Sequence, residues 1–204
     1  RRTRQPATLP MAGCGFGYRT SRFKAEPDRY LITAVTFQFR MAGRSAPIRY
    51  AELARTLGVE LGARPPARDV REAVLGLRRA KGMVLDATDH DTWSAGSFFT
   101  NPILDLEAAD ALPADAPRWP VRTGADQRPA IKTSAAWLIE HAGFGRGFGA
   151  GPVRLSGKHT LALTNRGGAR TADLLDLARA IRDGVAAAYG VVLEPEPVLV
   201  GCSL

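Results

Sequence analysis

Thr171-Ala172-Asp173-Leu174-Leu175-Asp176-Leu177-Ala178-Arg179-Ala180-Ile181-Arg182-Asp183-Gly184-Val185-Ala186-Ala187-Ala188-Tyr189 reads as one long amphipathic helix. Leu174, Leu175, Ala178, Ile181 and Val185 fall on its buried side at helical spacing, and Gly190 stands where it ends. Upstream, Thr160-Leu161-Ala162-Leu163-Thr164 has the composition of a short strand. Downstream, residues 191–200 form a final strand broken by Pro195 and Pro197. Strands and helices alternate irregularly, which favours an α+β class over a doubly wound sheet.

Further out, Leu31, Val35, Phe37 and Phe39 alternate with Thr36, Gln38 and Arg40, so residues 30–40 read as a strand. A short helix is expected over 50–57, stopped by Gly58. The clearer one runs over 69–81: Asp69 can cap it, Val70, Ala73, Val74 and Leu77 make its apolar stripe, and Gly82 sits at its C-terminal end. Arg78, Arg79 and Lys81 complement the negative end of that helix. The Pro- and Asp-rich stretch 104–129 reads mostly as loop, with one helical turn near 108–112, and a helix over 133–141 ends at Gly143.

A chain of 204 residues is long enough to bury a sizeable core, and 45% apolar with 24% charged residues is ordinary for a soluble globular protein. No apolar run reaches the roughly 18–20 residues that cross a bilayer, and Arg1-Arg2-Thr3-Arg4 leads into no signal-type core. The expectation is a cytoplasmic protein with no membrane association. Cys14 and Cys202 lie near opposite ends with no ligand spacing, which argues against a disulfide framework. The net charge of +8 comes from scattered arginines, without a basic run or an aromatic-basic strand. It points weakly to an anionic ligand and gives no reason to expect nucleic acid.

Familiar catalytic motifs are missing: there is no HExxH, GxSxG or Walker loop, and three dispersed histidines suggest no metal site. Residues 143–151 fit GxGxxA at Gly145, Gly147 and Ala150, but Pro152 follows where a helix should open, so a tightly turned loop is the better reading.

Four segments concentrate chemistry. Gly17-Tyr18-Arg19-Thr20-Ser21-Arg22-Phe23-Lys24 packs cations with aromatics, and Trp93-Ser94-Ala95-Gly96-Ser97-Phe98-Phe99-Thr100-Asn101-Pro102 surrounds one hydroxyl with small and aromatic residues. Ser156-Gly157-Lys158-His159 precedes a strand, and Leu193-Glu194-Pro195-Glu196 sets two carboxylates beside proline. Singly, each has an ordinary explanation as surface charge, turn hydroxyl or packed polar residue.

Together and in this order, YRxSxFK, AGSFFxNP, Lys-His before TLALTN, and LEPE resemble the UDP-N-acetylenolpyruvoylglucosamine reductase family, from about Gly15 to Gly201. Tyr50 also matches a tyrosine typical of one structural type of that family. The resemblance implies an NADPH- and FAD-dependent reduction of UDP-N-acetylglucosamine enolpyruvate to UDP-N-acetylmuramate in peptidoglycan synthesis. It implies catalytic roles for Ser97 as proton donor and for Arg19 and Glu196 at the substrate carboxylate, with Glu196 neutral through burial or bridged by Arg19. Tyr50, Lys81, Asn101 and His159 match substrate-binding positions, and the Phe98–Phe99 pair would exclude water.

The family's FAD-binding half, with its Gly-rich turn, normally precedes the YRxSxFK segment and is not among these residues. The expectation is therefore a C-terminal portion: residues 1–82 as the remainder of the flavin domain, 83–190 as a small α+β substrate-binding domain, and 191–204 as a strand returning toward the flavin domain. Such a portion would bind FAD poorly alone and would partner the N-terminal flavin-binding half if that is separately encoded. Pro197 departs from the family's pattern and raises the expectation that strand pairing beside Glu196 is altered. The competing expectation is a UDP-sugar-binding module without redox chemistry, against which the retained proton donor argues.

Overall fold

The computed structural model describes residues 5–17, 20–124 and 126–204, which divide into two compact units meeting between Ala42 and Gly43.

In the first unit a 3-10 turn at Met11–Cys14 ends on Gly15, and a four-residue helix α1 (Arg22–Ala25) is capped by Ser21, whose Oγ accepts the Lys24 N–H at 3.3 Å. Phe23 and Tyr30 meet edge to face. The strand expected over 30–40 does not form. Phe37 and Phe39 stack on one side, as the alternation requires, yet Leu31, Val35, Phe37 and Phe39 are all exposed. Alternation creates an apolar face but supplies no ladder partner, and none pairs with this stretch among the described residues.

The second unit begins with a helix pair, α2 (Ala51–Leu57) and α3 (Ala67–Ala80). Gly58 closes α2 in the left-handed conformation, as expected. Asp69 does not cap α3: the helix starts two residues earlier behind Pro66, and Asp69 lies in its first turn. At the other end Gly82 donates to the Arg79 carbonyl (3.0 Å) and Met83 to that of Arg78 (2.8 Å), a Schellman closure that fixes the chain direction just after Lys81.

Two sheets and three helices follow. A three-stranded antiparallel sheet has the order β1 (Ile103–Leu104), β3 (Arg128–Lys132), β2 (Trp119–Thr123), with helix α4 (Leu106–Asp110) beside it. The hairpin β2–β3 corrects the expected loop. Pro120 pairs with Ile131 and Pro129 with Arg122, so both prolines fall on the same alternate set of pairs. That is the set that exchanges no hydrogen bonds across the ladder, where a missing N–H is tolerated.

Helix α5 (Ala135–His141) is capped by Ser134, and α6 (Thr171–Tyr189) runs between the expected residues, closed by Gly190. Strands β4 (Val153–Leu155) and β5 (Leu163–Asn165) form the second sheet. The predicted strand 160–164 is thus split, its first residues serving other partners. Leu175, Ala178, Ile181 and Val185 of α6 are buried against Leu138 and Ile139 of α5, Leu155 and Leu163 of the sheet, and Phe98 and Phe99. Each large side chain so buried contributes roughly 1.5–3 kcal/mol. Gly184 lies within α6, where a Cβ would stand 2.5 Å from the ring of Phe144, so its lack of a side chain admits that ring.

The architecture is a mixed α+β one. No helix among the described residues is long and apolar enough to cross a membrane.

Candidate functional site

The site is organised by the segment after Trp93. Gly96 takes φ +87°, a conformation suited to glycine, and its N–H is held by Ser94 Oγ at 3.2 Å. The chain then turns into strand-like pairing on both sides. Ser97 forms a bridge with Ala162, and the Phe98 N–H donates to Leu161 O at 2.7 Å. On the opposite side the Phe98 carbonyl accepts the Glu196 N–H at 2.8 Å, and Thr100 donates to Glu194 O at 3.0 Å around a Phe99–Pro195 bridge. Phe98 and Phe99 both lie in the core, in edge contact at 5.0 Å. What they supply is anchorage of the backbone rather than a screen over an open pocket. Ser97 is left partly exposed where three segments meet.

The last of these segments corrects two expectations. Residues 191–200 make only the Pro195 bridge, with no strand. The Phe98 N–H, which the next rung would need, is given to Leu161 O instead. Pro195, however, sits where the flanking residues make the hydrogen bonds, and the donor that matters is Glu196 itself. The link beside Glu196 is therefore intact despite Pro197. The Glu196 side chain is exposed.

His159 reaches Ser97 from a tight turn. The fully buried Ser156 hydroxyl accepts the N–H groups of Lys158 (3.0 Å) and His159 (3.3 Å), and the His159 carbonyl accepts from Ala162 at 3.0 Å. This sets His159 Nε2 3.3 Å from Ser97 Oγ. The turn is fastened from outside by the Asp89-His90-Asp91 segment. Asp91 Oδ1 accepts from Gly157 N at 3.1 Å and from Arg166 Nη1 at 2.7 Å, and Asp89 pairs with Lys158. The Lys158 hydrogen bond holds Asp89 below the usual carboxylate range, helped by the Asp91 N–H. Burial pushes His159 below the ordinary histidine value, and the positive charges of Lys81 and Arg146 push it the same way.

Lys81, at the C-terminal cap of α3, pairs with both oxygens of Glu52 at 3.0 and 3.1 Å. Both side chains are about half exposed, and such a pair contributes little, so an anionic ligand can displace Glu52 at small cost. Tyr50, exposed at the N-cap of α2, belongs to the same helix pair. Asn101 is partly committed: its Oδ1 accepts the Ala135 N–H at 3.0 Å at the start of α5. Arg19 lies outside the described residues.

The structure therefore brings Ser97, His159 and the Glu196 backbone together, with Lys81 acting on His159 through its charge. Arg146, Asp89 and Asp91 were missed in the sequence. Arg146 was hidden in a Gly-rich loop read as purely structural, although it is the one cation in that loop. An open hollow of about 530 Å³ lies along Trp93, Ser94 and Ala95, lined mainly by apolar side chains such as Leu85, Leu163 and Leu174. It holds neither the Ser97–His159 pair nor a cation, so the polar cluster is the better candidate for an anionic substrate.

Residues 87–200 match the family described as UDP-N-acetylenolpyruvoylglucosamine reductase, C-terminal domain. Curated proteins named UDP-N-acetylenolpyruvoylglucosamine reductase are similar over nearly the whole chain. The one from Cutibacterium acnes is 56% identical over 194 residues, covering 94% of this chain and 50% of its own length. That from Streptomyces avermitilis is 55% identical, covering 100% and 58%, and that from Saccharopolyspora erythraea is 58% identical, covering 100% and 57%. The chain thus spans little more than half the length of these relatives.

Proposed function

Because the chain belongs to the UDP-N-acetylenolpyruvoylglucosamine reductase family, we propose that it supplies the substrate pocket and proton donor for reduction of UDP-N-acetylglucosamine enolpyruvate to UDP-N-acetylmuramate in cytoplasmic peptidoglycan synthesis. The reading is supported chiefly by Ser97, whose hydroxyl is fixed at the junction of three backbone segments beside His159.

When bound, FAD reduced by NADPH supplies the hydride. The described residues offer no cradle for the flavin diphosphate: the Gly-rich stretch 143–151 leads into β4 and not into a helix N-terminus. We assign residues 1–82 to the flavin domain, 83–190 to the substrate-binding domain and 191–204 to the return that carries Glu196.

Reduction of the enolpyruvyl double bond requires a proton at the carbon next to the carboxylate. Ser97 delivers it, and because a serine hydroxyl is a weak acid, its position matters more than its acidity. Arg19 and Glu196 both serve the substrate carboxylate, which the guanidinium can hold by paired charge-assisted hydrogen bonds as charge builds there. Lys81 takes the diphosphate as a point charge, and Tyr50, Asn101 and His159 complete the grip on the sugar nucleotide.

Ser97→Ala in the complete enzyme tests this assignment by stopped-flow measurement of the two half-reactions. Flavin reduction by NADPH should persist while reoxidation by the enolpyruvyl substrate is crippled. Equal loss in both half-reactions refutes the proton-donor role.

A further inference from the structure

We propose that His159 is a positioning residue that reloads Ser97: with the sugar nucleotide bound, its Nε2–H donates to Ser97 Oγ while the serine proton points at the substrate carbon. This rests on the assignment of Ser97 as proton donor and extends it to the question of where the proton comes from.

The geometry carries the argument. Ser97 has one proton, and a hydrogen bond received from His159 Nε2 at 3.3 Å orients that proton away from the imidazole. The backbone that carries the histidine is fixed, its N–H held by Ser156, its carbonyl by Ala162, and its turn by Asp91 and Asp89, and the ring is half-buried against Ser97. A serine that donated alone would be left as an alkoxide. In the relay, the Oγ–H bond breaks as the substrate's carbanion electron pair forms the new C–H bond. The Nε2–H bond then breaks as Oγ regains a proton, and the imidazolium becomes imidazole. Solvent restores the lost proton between turnovers.

The charges around the ring make this conditional on substrate. The positive charges of Lys81, at the end of α3, and of Arg146, in the Gly-rich loop, both act on it, and Lys158 precedes it in its own turn. Asp89 and Asp91 hold that turn through Lys158, Gly157 and Arg166, and Glu140 is engaged by Thr160 and Arg146. Alone, the ring is biased toward neutrality. A diphosphate bound by Lys81 and Arg146 cancels their repulsion and charges the ring, so the proton is loaded when substrate is present.

His159→Gln keeps a hydrogen-bonding side chain but cannot titrate. Single-turnover reoxidation of the reduced complete enzyme, at saturating enolpyruvyl sugar nucleotide, should fall by about 100-fold. The decline in wild-type rate with rising pH should disappear in this variant. His159→Asn serves as a second variant should the glutamine perturb folding. Independently, the His159 imidazole resonances, titrated with and without UDP, should move to a higher pKa with UDP. A wild-type rate and alkaline limb in both variants, or an imidazole unmoved by UDP, overturns the relay. If these appear while Ser97→Ala is crippled, only the relay is lost. If Ser97→Ala reoxidises normally, the serine assignment fails and the relay with it.

Discussion

The backbone N–H of Glu196 donates to the carbonyl of Phe98 at 2.8 Å, which fixes the acidic residue of the C-terminal segment beside the residue that follows Ser97. Three stretches distant in sequence are thus held by backbone hydrogen bonds that no side-chain substitution removes directly. Variants at Ser97, His159 and Glu196 should report on chemistry more than on folding.

The packing of Phe144 over Gly184 reverses the usual sign of a helix substitution. Glycine-to-alanine inside a helix ordinarily stabilises by about 0.8–1 kcal/mol. Here the new methyl would meet the Phe144 ring at 2.5 Å, and displacing a ring that also contacts Phe148 costs about 1–3 kcal/mol. Gly184→Ala should lower denaturant stability by about 1 kcal/mol. In a Phe144→Ala background the same change should stabilise, and a double-mutant cycle measures the reversal.

Asp91 joins the Gly157 N–H to Arg166, and both charged side chains are less than a third exposed. Asp91→Ala leaves Arg166 with only its longer bond to Thr164 Oγ1 (3.4 Å) and unfastens the Gly157 N–H, which should destabilise by about 1–3 kcal/mol. Hydrogen exchange should quicken at residues 157–159 ahead of the helices. Unchanged protection in that turn would show that Ser156 suffices to hold it.

Asn101 has a structural task separable from ligand binding. Its Oδ1 accepts the Ala135 N–H at the start of α5, so Asn101→Ala should lose about 1 kcal/mol, the typical value of a helix cap. Asn101→Asp keeps the acceptor and should recover stability, yet place a negative charge against an anionic substrate. Thermal melts and sugar-nucleotide titrations on both variants separate the two effects.

Acid should destabilise the fold in two stages. His159 has a folded pKa below its ordinary 6.5, so its contribution is complete above 6.5 and is lost as pH falls toward the lower folded value. Asp86, through the N–H and hydroxyl of Thr88, and Asp89, through Lys158, are held below 3.8. Their contribution is present above 3.8 and is lost as pH falls through the folded values. Denaturant midpoints measured against pH should show both declines, and His159→Gln should abolish the first alone.

Much of the second unit was legible because local signals agreed with the final packing. In α6, apolar spacing and Gly190 gave both ends, since its buried face is continuous and its stop is a backbone requirement. The β2–β3 hairpin was not legible, because Pro120 and Pro129 look like breakers until the register shows that they need no donor. The stretch 30–40 failed for the opposite reason: its alternation was genuine, but a strand is a property of two chains. At the site, Ser97 and His159 were recognisable by motif order, but their contact spans 62 residues of sequence and no local pattern encodes it. Asp89, Asp91 and Arg146 are ordinary polar residues whose importance comes only from where the fold puts them.

The alternation of proline around Glu196 also bears on solubility. Val198 and Val200 are exposed beyond a segment that already pairs like a strand, which is the makings of a sticky edge. Pro195 has no N–H to offer on the outward side, and Pro197 removes the next one in the same row. A second molecule therefore has no continuous row of donors on which to lay a strand. The segment that holds Glu196 in place is thereby protected from acting as a template for aggregation.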